Sequence, residues 1–478
     1  MSPAAGHEPR TAGLRRAMGQ RDVVMFLVVA VVGTRWIATA AAVGPSALVI
    51  WLIGFLALFV PLAFTVVELS SRYPQEGGLY VWTRRAFGEY PGFLTGWMYW
   101  SSNLTYFPGL LYFSAASALF MFGPAAHALS TSIPYFVIAS LAGLAVALGM
   151  NIVGLDVGKW LHNAGAIGTW IPVALLIGAG FVVCARFGSA TSFTRASLIP
   201  GAHLQDLVLW STIAFAFGGI ESASFMSEEI RDPGRSIPRA IVIAGAMITA
   251  IYVLGTLAVL LALPKSEVTG LEGIMQATTR AAERIGARGV GPVAALLTTI
   301  GGLGGVGAWL ASNGRLTFVA GVDRYLPAAF GKLHPRWGTP HVALLAQGAG
   351  AALFAVWGQA GTGVKGAYDA LVAMTVIAYF VPLLFLFAAM IALQRESAGP
   401  GVIRVPGGRP VAIAMGGLGF ATTAISMVLA ALPPADEKHP AFSVAKVIGG
   451  TLILIAIGTA MYARGRRTRW AGTPGTAI

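Results

Sequence analysis

One cysteine, Cys184, stands among 478 residues. A lone thiol excludes an internal disulfide and any cluster of thiolate metal ligands. Charge is nearly as scarce. Asp, Glu, Lys and Arg together make up 11% of the chain, where a soluble domain carries about one quarter. The seven histidines are scattered, with no H-E-x-x-H pair, so no metal site is expected. His162, the one histidine near membrane depth, reads as a packing or interface residue. No G-x-S-x-G and no intramembrane His–Asp pair supports an enzyme, and no cofactor is implied. No small-residue cleavage site follows the first apolar run, so a cleavable signal peptide is not expected.

What fills the chain is apolar. Hydrophobic residues make up 56% of it, and the mean hydropathy is +0.74. Twelve apolar spans follow one another, near 22–44, 47–70, 93–122, 133–154, 160–185, 204–228, 238–263, 289–320, 340–359, 366–394, 410–432 and 442–464. Each is close to or above the ~20 residues that cross a bilayer as a helix. The chain therefore reads as an all-α polytopic membrane protein with twelve transmembrane helices. Basic residues fix its orientation. With the N-terminus inside, cytoplasmic segments hold 22 Lys and Arg and outer segments hold 9. That places both termini in the cytoplasm and the chain in the cell membrane. The net charge of +13 is then a topology signal with attraction to anionic lipid, and nucleic acid is not an expected partner.

The most informative stretch runs from Trp210 to Ala240. It starts as an apolar helix and meets Gly218, Gly219 and then Glu221. It ends in a Pro-broken turn carrying Glu228, Glu229, Arg231, Asp232, Arg235 and Arg239. A carboxylate at membrane depth is costly and needs a function. Two glycines weaken the helix there, and unwound backbone at that depth must line a cavity or be buried in protein. The first span carries a second anomaly, Arg35 near the bilayer midplane, with Gly33 just before it as a break point. Spans one and six would each be interrupted, at the first helix of two five-helix halves. That is the signature of an inverted-repeat transporter. The expected segments are a tail at 1–21, a first repeat at 22–186, a second at 187–394, two further helices at 395–464 and a tail at 465–478.

Four stretches carry a resemblance: YPQEGGLYVWTRRAFGEYPGFLTGWMYW (73–100), NIVG (151–154), FAFGGIESASFMSEEIRDPGRSIPRAI (215–241) and GLGGVGAWLASNGRLTFVAGVDRYLPAAF (302–330). In combination they resemble the amino acid–polyamine–organocation transporter superfamily, with bacterial amino-acid permeases and the arginine/agmatine antiporter as the nearest comparison. The resemblance implies ten helices in two inverted five-helix repeats, broken in helices one and six, plus two peripheral helices. It implies that a substrate carboxylate meets free N–H groups in span one, where half-helix ends favour an anion. The amino group would meet carbonyls freed in span six. Phe215 matches an aromatic that closes over substrate, Glu221 a carboxylate of substrate or proton coupling, and Trp309 a substrate-facing Trp. The family's span-one turn maps either to Ala30-Val31-Val32 or to Gly33-Thr34-Arg35. Thr169 stands where proton-coupled relatives carry a Lys. With Ser312 it forms either a sodium site or a pair of packing hydroxyls.

The expected substrate site is therefore Gly33, Thr34, Arg35, Trp36, Asn103, Phe215, Ala216, Phe217, Gly218, Gly219, Glu221 and Trp309. Glu221, Arg35, Thr169 and Ser312 are the coupling candidates. Arg35 and Glu221 are expected to face one cavity as an electrostatic pair. Gly302, Gly304 and Gly307 spell G-x-G-x-x-G inside an apolar span without a preceding strand, which fits close helix packing and not dinucleotide binding. The expected function is secondary active transport of amino acids or related amines, by exchange or proton-coupled symport. The alternatives are a sodium-coupled symporter or a transporter-like receptor. The expected partners are the small solute, protons or sodium, and lipid; a homodimer is admitted.

Overall fold

A computed structural model gives the architecture and describes residues 19–74, 77–201, 204–322, 325–433 and 439–471. The tails at 1–21 and 465–478 therefore lie partly outside the described residues, as do the side chains of His162, Glu228 and Glu229. The described residues are helical, without a β-strand. The principal helices are α1 (Gln20–Val31), α2 (Thr34–Ala41), α3 (Ser46–Arg72), α4 (Glu89–Leu119), α5 (Ile133–Val153), α6 (Leu155–Phe187), α7 (Leu204–Ala216), α8 (Pro233–Ala262), α9 (Val290–Val322), α10 (His341–Trp357), α11 (Val364–Leu393), α12 (Gly408–Ala430) and α13 (Pro440–Ala471). Among the described residues, nine helices are long and apolar enough to cross a membrane, and the bent pair α1–α2 is a tenth candidate. Helix α4 has 31 residues but is rich in aromatic and hydroxyl side chains. Helix α10 is apolar but has only 17 residues.

Two interruptions shape the bundle. Between α1 and α2 the axis turns by 47°. Val32 and Gly33 are extended there, with ψ of 102° and 108°. The break thus falls between the two placements the sequence allows. Gly33 is required because Trp36 folds back over it, and a Cβ would overlap the indole. The second interruption follows α7. Gly219 takes φ +117°, a left-handed conformation open to glycine at no steric cost, and the chain continues as a 3-10 helix over Ile220–Glu229. A Cβ on Gly218 would meet the Tyr379 hydroxyl at 2.5 Å.

Elsewhere the helices are close-packed. Gly304 of α9 lies against Gly165 of α6, and Gly301 against Gly168, so closely that the backbones touch. Gly302 takes in the Ser114 hydroxyl, and Gly307 receives Leu161. The G-x-G-x-x-G letters are thus a contact strip between helices. At one end of the bundle Glu68, nearly fully buried, receives hydrogen bonds from Gln394 Nε2 at 2.7 Å and from the Val405 amide at 2.9 Å. It also pairs with Arg72 at 2.7 Å. Beside it Arg85 and the Tyr73 hydroxyl, each 2.8 Å away, hold Glu396. Arg85, then Tyr73, lowers the Glu396 carboxyl below its ordinary value of 4.5.

Candidate functional site

The two interruptions meet at a small cavity of about 40 Å³. Its walls come from α1, α2, α4, α7, the turn after α7, α9 and α11. Of the residues expected from sequence, Trp36, Asn103, Phe215, Ala216, Gly218, Gly219 and Trp309 line it. Gly33, Thr34, Arg35, Phe217 and Glu221 are not among the residues that line it. Phe217 packs into an aromatic cluster instead, edge-on to Trp51 at 5.5 Å and to Tyr252 at 5.8 Å. Thr169 donates its hydroxyl to the Gly165 carbonyl of its own helix at 2.9 Å. Ser312 is half-buried on α9 and does not line the cavity.

Several lining residues were missed. Tyr99, Ser102 and Tyr106 were not foreseen; with the expected Asn103 they occupy i, i+3, i+7 and i+4 on α4, one helical face turned to the cavity. That polar stripe in an aromatic-rich span was a readable signal. Tyr379 and Thr375 lie in an apolar run of α11 with no pattern to mark them.

Glu221 is fully buried and fully engaged. Its Oε1 accepts from the Tyr99 hydroxyl at 2.9 Å and the Tyr379 hydroxyl at 2.6 Å. Its Oε2 accepts the Gly219 amide at 3.0 Å. Hydrogen bonds to a charged group contribute about 1.5–3 kcal/mol each, so three donors offset much of the cost of burying the carboxylate. The side chain clamps α4 and α11 to the broken turn.

Tyr252 of α8 does a related job. Its hydroxyl accepts the Gly33 amide at 3.1 Å. It donates toward the Val31 carbonyl at 2.7 Å and the Ala216 carbonyl at 3.0 Å. One phenol therefore serves backbone groups released by both interruptions. Its ring is held by stacking on Trp51 at 4.3 Å.

Arg35 is different. It is 1% exposed, and none of its three guanidinium nitrogens has a hydrogen-bond partner. The group lies 4.2 Å from the Trp36 ring and 4.8 Å from the Tyr106 ring. The Tyr368 hydroxyl stands beside it, outside hydrogen-bonding geometry. Two cation–π contacts supply ~0.5–2 kcal/mol each, whereas burying an ion costs several kcal/mol even after relaxation. The rings alone do not balance that cost. The expected pairing with Glu221 is not made: the carboxylate is held by Tyr99, Tyr379 and the Gly219 amide, and no guanidinium nitrogen reaches it. The rings that cover the cavity form a chain of edge contacts. Tyr379 meets Phe215 at 5.2 Å, Phe215 meets Trp36 at 5.4 Å, and Tyr106 meets Trp309 at 6.2 Å.

Comparison with known proteins places this geometry. The chain is 27% identical to an uncharacterized transporter of Legionella pneumophila over 448 residues, 93% of this chain and 96% of the relative. It is 28% identical to the probable agmatine/putrescine antiporter AguD of Lactococcus lactis, over half of each chain. The glutamate/serine transporter AimA of Bacillus subtilis is 27% identical over 69% of this chain and 64% of its own length. The family model described as amino acid permease matches residues 18–457. The chain belongs to the amino acid permease family, and it is an integral membrane transporter of amino acids, not an enzyme.

Proposed function

We propose that this permease works by alternating access through the cavity between its two interrupted helices. The lining residues, led by Trp36, Asn103, Phe215, Gly218, Gly219 and Trp309, would contact an amino acid or related amine. Glu221 would hold the broken turn in place. The observation that carries the reading is the convergence of both interruptions on one cavity. Helices α4 and α10 complete a count of twelve in this reading. At 1.5 Å per residue they would extend about 46 and 26 Å, against a hydrocarbon core of ~30 Å. The interruptions then open two inverted five-helix repeats, α1–α6 and α7–α11, with α12 and α13 peripheral. Both termini are cytoplasmic in the cell membrane, in line with the distribution of Lys and Arg. Exchange or proton coupling is the mode we propose. The naming of one relative as an antiporter supports exchange.

Proteoliposomes holding the purified chain test this. They should accumulate radiolabelled amino acid, faster when preloaded with unlabelled solute. Phe215→Ala and Trp309→Ala should each slow uptake by ~2- to 30-fold, the range that loss of an aromatic contact allows, while eluting as monodisperse protein. Wild-type kinetics in both variants would remove the cavity from the transport path.

A further inference from the structure

We infer that Arg35 is a binding residue for a second carboxylate on the transported solute, and that the preferred substrates are therefore acidic amino acids. The inference rests on the transport reading above and names its substrate class. Two charged side chains lie against residues that line the cavity, and they differ in one respect. The Glu221 carboxylate already accepts from two phenols and a backbone amide. The Arg35 guanidinium has no acceptor for any of its nitrogens. A cationic solute would thus meet a carboxylate already holding three donors, whereas an anionic one would meet an unsatisfied, desolvated cation. An intramembrane ion without a partner is a functional feature by default, and a planar guanidinium offers a carboxylate a two-pronged set of donors.

The surroundings fit this role. The guanidinium lies against two residues that line the cavity, Trp36 and Tyr106. On its other side Gly109 of α4 carries no side chain, and a Cβ there would come within 3.2 Å of Nη1. The neighbouring Tyr368 hydroxyl is also unpartnered and could donate to the same anion. Both cavity-side neighbours are aromatic, so they hold the cation in place without consuming its N–H donors.

The assignment predicts selectivity in the wild-type chain, so its first test needs no variant. Proteoliposomes would be given radiolabelled glutamate, serine, leucine and agmatine in parallel. Glutamate uptake should exceed that of leucine and agmatine by at least tenfold. Arg35→Gln should lower the ratio of glutamate to serine uptake at least tenfold, and Arg35→Lys should recover part of it. Equal losses of glutamate and serine in Arg35→Gln would mean that the residue meets the α-carboxylate common to both, or acts only through the fold, and would overturn the inference. If Arg35→Gln does not yield folded protein, the wild-type ratios and the Lys variant decide. Ready transport of leucine or agmatine without preference for glutamate would leave transport standing and overturn the role of Arg35. Accumulation of none of the four would overturn the transport reading itself, and the inference with it.

Discussion

The Tyr252 hydroxyl touches three backbone groups that no helix satisfies. Tyr252→Phe keeps the ring and its stacking on Trp51 but leaves a buried amide and two carbonyls to find other partners. Orphaned buried groups cost about 1–3 kcal/mol. The variant should therefore melt several degrees below wild type in detergent and transport more slowly. An unchanged melting temperature would show that water replaces the hydroxyl at no cost. Nothing in the sequence marked this residue. It sits in an ordinary apolar helix, and its partners are backbone atoms more than 30 positions away, which no local pattern encodes. Glu221 was legible for the opposite reason: a carboxylate in an apolar run is conspicuous by its cost. Its partners were not legible, and the sequence reading paired it with Arg35 because opposite charges attract. The phenols of Tyr99 and Tyr379 hold it instead.

Interrupted helices were readable where glycine supplies a conformation other residues resist. Gly218 and Gly219 announced the second break, and one is needed for close approach and the other for its positive φ. The first break was harder to place. Both residues of the break are merely extended, and the β-branched Val32 is at home in that conformation. The glycines of α9 gave a clear signal, and packing is its meaning. A larger side chain at Gly304 would drive α9 off Gly165. Gly304→Val should destabilise the protein by roughly 1–3 kcal/mol, the usual cost of overpacking. Thermal unfolding would show this as an early transition, while Gly399→Val, in an exposed loop with open space around it, should be silent. Equal behaviour of the two variants would remove the contact strip.

For the whole molecule, sidedness follows from charge placement and is open to direct test. A cysteine at Glu272 in a Cys184→Ala background should react with an impermeant maleimide in intact cells, and one at Arg235 should not. The reverse pattern would turn the molecule over. The network joining the α3 end to the loop after α11 adds a pH dependence. Arg85 and Tyr73 hold Glu396 below its ordinary value of 4.5. A depressed carboxyl stabilises the fold fully above its unfolded value, and that contribution disappears as pH falls through the lower, folded value. The pair is well exposed, so screening keeps its contribution under about 1 kcal/mol. Glu396→Gln should melt slightly below wild type near neutral pH, and the two curves should converge under strong acid. A gap that persists there would assign the loss to packing.

The Tyr252 bridge has a consequence for the moving parts. A phenol has one proton, and two carbonyls compete for it, Val31 at 2.7 Å and Ala216 at 3.0 Å. Neither interruption can be fully satisfied while the other is. Any shift that brings one carbonyl closer takes the proton from its rival, so the two broken helices are joined by a shared shortage. Such a joint has no single best position. In the proposed alternating-access cycle, a small displacement would strengthen one of these hydrogen bonds as it weakens the other.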